Sequence, residues 1–402
     1  MMPGAVVGGV AMLVWSQAAL DETAVRFAED ASSLRLSDFC AAPADGTEGT
    51  IPQSPGDSLA LLDVVILFTH GDTSPVVVWP EEKPAVWDCT PQALPRYWKR
   101  NERLQFKVFD GNATRLDRSF SPELAGGGAG AAPYGCAPGQ LTPVGFAQAV
   151  GLGRHLSQAY GEQYGSAAQL RVESADVRRS LASAVGVLMA LLTTPRAHEV
   201  FGEGQDVAIR ARGSGTALAP PLPPERLEEA LRGSRAAAAG LAGLELSQVV
   251  GAGNHLLSRW CHQKPMPCRR RDCMAVDIAA AIVDKGDRAV CEALRGARAP
   301  GRELLERVAR LASGAGGGSL ALLSVDPLPL AGALGALVGA AASCKDPHKL
   351  RPPYASRLVF ERWGAPAGAP RWRVMWNGVD ITDSVEGCGR KSPPGCDDVA
   401  MR

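Results

Sequence analysis

Three places in this 402-residue chain set a chemically capable side chain at the end of an apolar run. His70 follows residues 61–68 (LLDVVILF), Arg178-Arg179 follow residues 170–172 through a Glu-Ser-Ala turn, and Asp326 follows residues 319–324 (SLALLS). An imidazole is a nucleophile near neutral pH, a guanidinium matches phosphate oxygens in pairs, and a carboxylic acid can protonate a departing oxygen. Together they are what phosphomonoester cleavage through a covalent phosphohistidine requires. Each also has a plainer explanation. His70 fits a loop histidine bonded to backbone, Arg178-Arg179 fit a solvated helix face, and Asp326 fits an N-cap before Pro327 at the first helical position.

The elements that must position these residues read as α/β. The near-continuous, β-branched run 61–68 suits a strand buried on both faces of a parallel sheet. Residues 140–160 read as a helix opened by Thr142 and Pro143, with Phe146, Val150, Gly153 and Leu156 on one face. A short strand over 170–172 leads to a helix over about 176–192, and the strand 319–324 leads to an apolar helix over 328–342. Residues 357–363 and 371–376 read as paired strands with Asn377-Gly378 as turn chemistry. In an open α/β sheet the ligand crevice lies beyond the carboxyl ends of the strands, where all three chemical residues fall. The expected fold is a mainly parallel central sheet flanked by helices, formed by residues 59–200 and 301–396. A mostly helical cap is expected over 201–300, with weaker helical segments at 224–231 and 274–284.

Lys+Arg and Asp+Glu each number 42, so the net charge of zero provides no basic surplus for nucleic acid. Residues 1–20 carry an apolar stretch shorter than a spanning helix needs and read as a signal peptide or, alternatively, a short signal anchor, the one expected link to a membrane. Residues 21–58, rich in Pro, Gly, Ser and Thr, read as a stem. Ten cysteines suggest an oxidising compartment and disulfides of undetermined pairing. The group Cys261-His262, Cys268 and Cys273 also admits a metal reading, but its spacing does not match paired zinc motifs, so neither metal nor cofactor is expected. Asn112-Ala113-Thr114 is a glycosylation sequon for a secreted chain.

The segment Thr69–Pro75 (THGDTSP) resembles the R-H-G-x-R-x-P loop of histidine acid phosphatases. Gln140-Leu141-Thr142-Pro143-Val144-Gly145 is similar to that family's L-T-x-x-G helix opening, Arg178-Arg179-Ser180-Leu181 to its Arg-Ser/Thr-Leu segment, and Val325-Asp326 to its His-Asp dipeptide. Other segments resemble the branch of the family acting on 2-phosphoxylose in the glycosaminoglycan–protein linkage region. These are Trp87-Asp88-Cys89-Thr90, Cys261-His262 with Cys268 and Cys273, residues 357–363, residues 376–382 and Lys391-Ser392-Pro393. The resemblance implies a phosphoglycerate-mutase/acid-phosphatase-like fold, His70 as nucleophile, Asp326 as proton donor and Arg179 as phosphate ligand. It further implies a phosphorylated sugar or glycan substrate and a Golgi or secretory location; a glycosyltransferase partner belongs to a binding or scaffolding reading of the same chain.

Three family positions are substituted: Thr69 and Thr73 stand where arginines are expected, and Val325 where histidine is expected. Removing one preorganised transition-state donor typically costs about 10²–10³ in rate, although residues acting as a unit are not additive. Arg178, Lys99, Arg100 and Arg103 are candidate replacement charges. Two functional readings follow: a phosphomonoesterase of weakened activity, or a pseudophosphatase that binds a phosphosugar or scaffolds a partner.

Overall fold

The computed structural model describes residues 39–50, 59–76, 87, 89, 105–110, 114–119, 136–164, 166–201, 206–212, 246–269, 272–294, 301–313, 318–339, 344, 350–364, 370–386, 388 and 396–397. In chain order the strands are β1 (Ala60–Thr69), β2 (Gln105–Phe109), β3 (Arg115–Ser119), β4 (Leu170–Ala175), β5 (Asp206–Arg212), β6 (Cys268–Arg269), β7 (Asp272–Cys273), β8 (Ser319–Val325), β9 (Arg357–Gly364), β10 (Arg371–Trp376), β11 (Val379–Asp380) and β12 (Cys396–Asp397). The helices are α1 (Pro143–Tyr160), α2 (Arg178–Leu191), α3 (Pro195–Phe201), α4 (Leu246–Cys261), α5 (Val276–Leu294), α6 (Arg302–Ser313) and α7 (Pro327–Val338).

The sheet runs β11-β10-β9-β1-β8-β4-β5-β2-β3, with β12 on β10. Its five central strands, β1, β8, β4, β5 and β2, pair in parallel, and antiparallel strands extend both sides. The continuous apolar character of β1 follows from its place between two cores. Val64, Ile66 and Phe68 pack with α1 and α2, whereas Val65 and Leu67 join the opposite core with α6 and α7. Strand β8 divides likewise, Leu320 and Leu322 to one side and Ala321 and Leu323 to the other. Burial on this scale, at about 25 cal/mol per Å² of apolar surface, is what holds the strand ends rigid enough to present a site. Thr142 caps α1, its hydroxyl accepting from Gly145 N at 3.1 Å, with Pro143 behind it. Asn377 and Gly378, both at positive φ, turn β10 into β11.

Several expectations shift. Residues 39–50, inside the expected stem, pack into the body. Glu48 is 3% exposed; its carboxylate accepts from Arg357 Nε at 2.5 Å and His155 Nε2 at 2.9 Å, and this company holds it at about 2 despite burial. No periodicity marks such a segment, because its anchor is one buried carboxylate rather than an apolar face. Strand β5 lies within the expected cap yet belongs to the central sheet, paired with β4 and β2. The helix expected over 274–284 runs on to Leu294, whose side chain and Cys291 enter the second core. Residues 1–20, 224–231, Asn112 and Lys391-Ser392-Pro393 lie outside the described residues. Among the described residues no single helix is long and apolar enough to cross a membrane.

The cysteines read as candidate metal ligands form disulfides: Cys40–Cys261 and Cys268–Cys273, with Cys89–Cys136 a third bridge. These bridges among the described residues, with Cys388 disulfide-bonded as well, fit an oxidising compartment.

The loop after β1 is pressed against the start of α1. A Cβ on Gly145 would stand 2.0 Å from Asp72 O, and one on Gly71 would stand 2.1 Å from Gly145 O. Both clashes are with backbone, which cannot step aside. Gly145→Ala is therefore expected to lower stability by about 1–3 kcal/mol, as overpacking does. Urea denaturation measures it, and an unchanged midpoint would contradict the contact.

Candidate active site

The parallel ladders set three strand ends at one level. Thr69 lies opposite Val325 across β1 and β8, and Ser324 lies opposite Ser174 across β8 and β4. The next residues along β1 and β8 are His70 and Asp326, and β4 turns through Asp176-Val177 into α2, whose second residue is Arg179. His70 and Asp326 are buried, 7% and 4% exposed.

The histidine's Nδ1 donates to Gly71 O at 2.8 Å, which puts the lone pair of the neutral ring on Nε2. Burial and the adjacent Arg179 guanidinium hold His70 at about 4, against the opposing pull of Asp326, the Gly71 bond and Asp72. The imidazole is therefore neutral through the mildly acidic range. Arg179 donates from Nη2 to Asp326 Oδ1 at 2.8 Å, while its Nε is buried without a hydrogen-bond partner among the described residues. Asp326 occupies the N-cap position of α7, but its side chain makes no capping bond and turns to Arg179 instead. The capping explanation thus accounts for its place in the chain and not for its carboxylate.

The three substituted positions are built into the scaffold. Thr69 Oγ1 donates to Pro353 O at 3.3 Å and accepts from Ser356 N at 3.1 Å, so its hydroxyl ties β1 to the loop before β9. Thr73 is buried and bridges Leu141 through backbone. Val325 packs on the second core. Arg178 is exposed on α2, and Lys99, Arg100 and Arg103 lie outside the described residues. What meets at these strand ends is one guanidinium, one carboxylate and one neutral imidazole.

Asp72, Gln148, His262 and Tyr354 surround the loop and were not singled out for it by sequence. Asp72 Oδ2 accepts from Thr142 Oγ1 and from His262 Nε2, the latter at 2.5 Å. Tyr354 lies with its ring 6.4 Å from that of His70, and burial together with Asp72 raises its hydroxyl far above the usual range. The available signal was the acidic residue two after His70; its partners are 70, 190 and 282 positions away in sequence and carry no local pattern. A polar cavity of about 320 Å³ lies between residues 42–45 and α1, lined by Asp45, Gln148, Arg154, His155 and Arg357 among others; Gln148 and Ala355 of its wall bond to the His70 loop.

No family model matches the chain. Over 162 residues, 38% of its length, it is 33% identical to Counting factor 60 of Dictyostelium discoideum, and the match spans 36% of that relative. Among solved structures it is similar to the phytase from D. castellii, at 13% identity and a TM-score of 0.49, covering 91% of this chain and 83% of that one. It is similar also to the phytase of Klebsiella sp ASR1, at 16% identity, TM-score 0.45 and coverage of 85% and 93%. A third likeness is to the multiple inositol polyphosphate phosphatase of Bifidobacterium longum, at 10% identity, TM-score 0.44 and coverage of 87% and 93%.

The depressed titration of His70 has a consequence for folding. The unfolded chain takes up this proton near 6.5 and the native chain only near 4. Native stability is thus full above about 6.5 and falls as pH drops toward 4. Between pH 7 and pH 4.5 this one group is expected to remove on the order of 2 kcal/mol. Urea titrations of wild type and His70→Asn at both pH values check it: the wild type should lose more by that amount, and equal losses would contradict the buried neutral imidazole.

Proposed function

We propose that the chain is a phosphomonoesterase of the histidine acid phosphatase type with weakened activity. The observation that carries this reading is the meeting of a neutral, oriented His70 with the Arg179–Asp326 pair at one level of the sheet. A phosphoryl group would take the Arg179 guanidinium from Asp326, aided by the first turn of α2, where backbone N–H groups favour an anion. Nε2 of His70 would then attack phosphorus. As the P–N bond forms, the P–O bond to the ester oxygen breaks, and the protonated Asp326 gives that oxygen its proton. Water attacks the phosphohistidine in the second step, its proton passing to the Asp326 carboxylate, and inorganic phosphate leaves with His70 restored.

The substrate proposed is 2-phosphoxylose in the glycosaminoglycan–protein linkage region, and the setting the Golgi lumen. Support for both comes from the sequence resemblance alone. The weakening is supported by the commitment of Thr69 to structure and by the apolar Val325, which leave Arg179 as the guanidinium of the described site. These same features favour a second reading, a pseudophosphatase that holds a phosphorylated sugar without turning it over.

Phosphate release by the purified chain decides between them. Measured at pH 5, the wild type is expected to release phosphate from a sugar phosphate at a rate about 10²-fold or more below that of a site with all its donors, and His70→Ala to abolish it. Background release from both proteins would remove the enzyme reading and leave the binding one.

A further inference from the structure

The residue two after the nucleophile sits in a closed circuit of bonds. Asp72 N donates to Gln148 Oε1 at 2.8 Å, and Gln148 Nε2 donates to Cys40 O at 3.0 Å. Cys40 is joined through its disulfide to Cys261, the last residue of α4. The next residue, His262, closes the ring by donating from Nε2 to Asp72 Oδ2 at 2.5 Å. Thr142 ties the same carboxylate oxygen to the N-terminus of α1. Neither α1 nor α4 bears the nucleophile, yet both are held to its loop through Asp72.

Other contacts carry the circuit toward the site. Phe39, beside Cys40, packs tilted against Tyr354 with ring centroids 4.6 Å apart, and Tyr354 N donates to Phe39 O at 3.3 Å. Ala355 N in turn donates to His70 O at 3.0 Å. The edge of Trp87, from the Cys89–Cys136 cluster, covers the His262 ring at 4.7 Å. A 2% exposed carboxyl group with such partners is costly to disturb, because losing one leaves a buried oxygen short of a donor. Its Oδ1 already has no hydrogen-bond partner among the described residues.

We propose that His262 is a positioning residue for the nucleophile, acting through Asp72 and held in place by the Cys40–Cys261 disulfide. The clamp sets the orientation and dryness of the His70 loop, so the state of that disulfide governs the site from outside it. The inference goes beyond the proposed reaction and concerns His70 whether or not it turns over a phosphate ester.

The titration of His70 reads the clamp directly. Its ring faces Arg179, Asp326, Asp72 and Tyr354, and its low value comes first from burial. Loosening the loop admits water and moves it up toward 6.5. The experiment follows ring-¹⁵N-labelled histidine by NMR in the full chain, with His70 assigned by His70→Asn. Wild type is expected to titrate near 4, and His262→Ala to rise by about one unit or more. His262→Gln, a neutral residue whose amide N–H reaches the same carboxylate, is expected to keep the wild-type value, which separates position from charge. The pair Cys40→Ser/Cys261→Ser is expected to match His262→Ala, and Gln148→Ala, which cuts the other arm, serves if His262→Ala does not fold. An unmoved titration in the disulfide and Gln148 variants, or a His262→Gln that behaves as His262→Ala, overturns the clamp. Phosphate release from wild type with an unmoved titration overturns the clamp alone. No release from wild type with the shift present removes the catalytic reading and leaves the clamp standing.

Discussion

The ion pair between Arg179 and Asp326 sets what this site can do. It joins the first turn of α2 to the end of β8 and stands beside a buried, neutral His70. Without a ligand, the guanidinium is neutralised by the carboxylate that the proposed chemistry needs as an acid. An arriving phosphate ester must take the arginine from the aspartate, and the aspartate must then hold a proton.

The scaffold makes that pairing possible and also limits it. Parallel ladders bring β1, β8 and β4 to a common level, and two cores hold them there. At the same level, Thr69 lies opposite Val325 and both serve the scaffold: one hydroxyl fastens the loop before β9, one apolar side chain joins the core. With a threonine and a valine there, these two positions tie the loop to the scaffold and bring no charge to it.

What was legible in the sequence follows physical range. Strands β1, β8 and β10 announce themselves by local composition, and α1 by its Thr-Pro opening, because burial and capping act on near neighbours. His70, Arg179 and Asp326 were legible because each follows an apolar run, and the strand-end rule then brings them together. The direction of the Asp326 carboxylate was not legible, since the N-cap position and the ion pair share one sequence pattern. Nor was the circuit through Cys40, Gln148, His262 and Asp72, whose members interact across separations of up to 221 residues. Glu48 was hidden for the same reason: a polar residue in a polar segment, buried by partners more than a hundred residues away.

The central claim is that Arg179 is the heart of an anion site held in check by Asp326. Calorimetric titration of inorganic phosphate at pH 7 into wild type, Asp326→Asn and Arg179→Ala tests it most directly. The account predicts tighter binding by Asp326→Asn than by wild type, by about tenfold for a freed charge-assisted contact, and no binding by Arg179→Ala. Equal or weaker binding by Asp326→Asn, or retained binding by a folded Arg179→Ala, would contradict it.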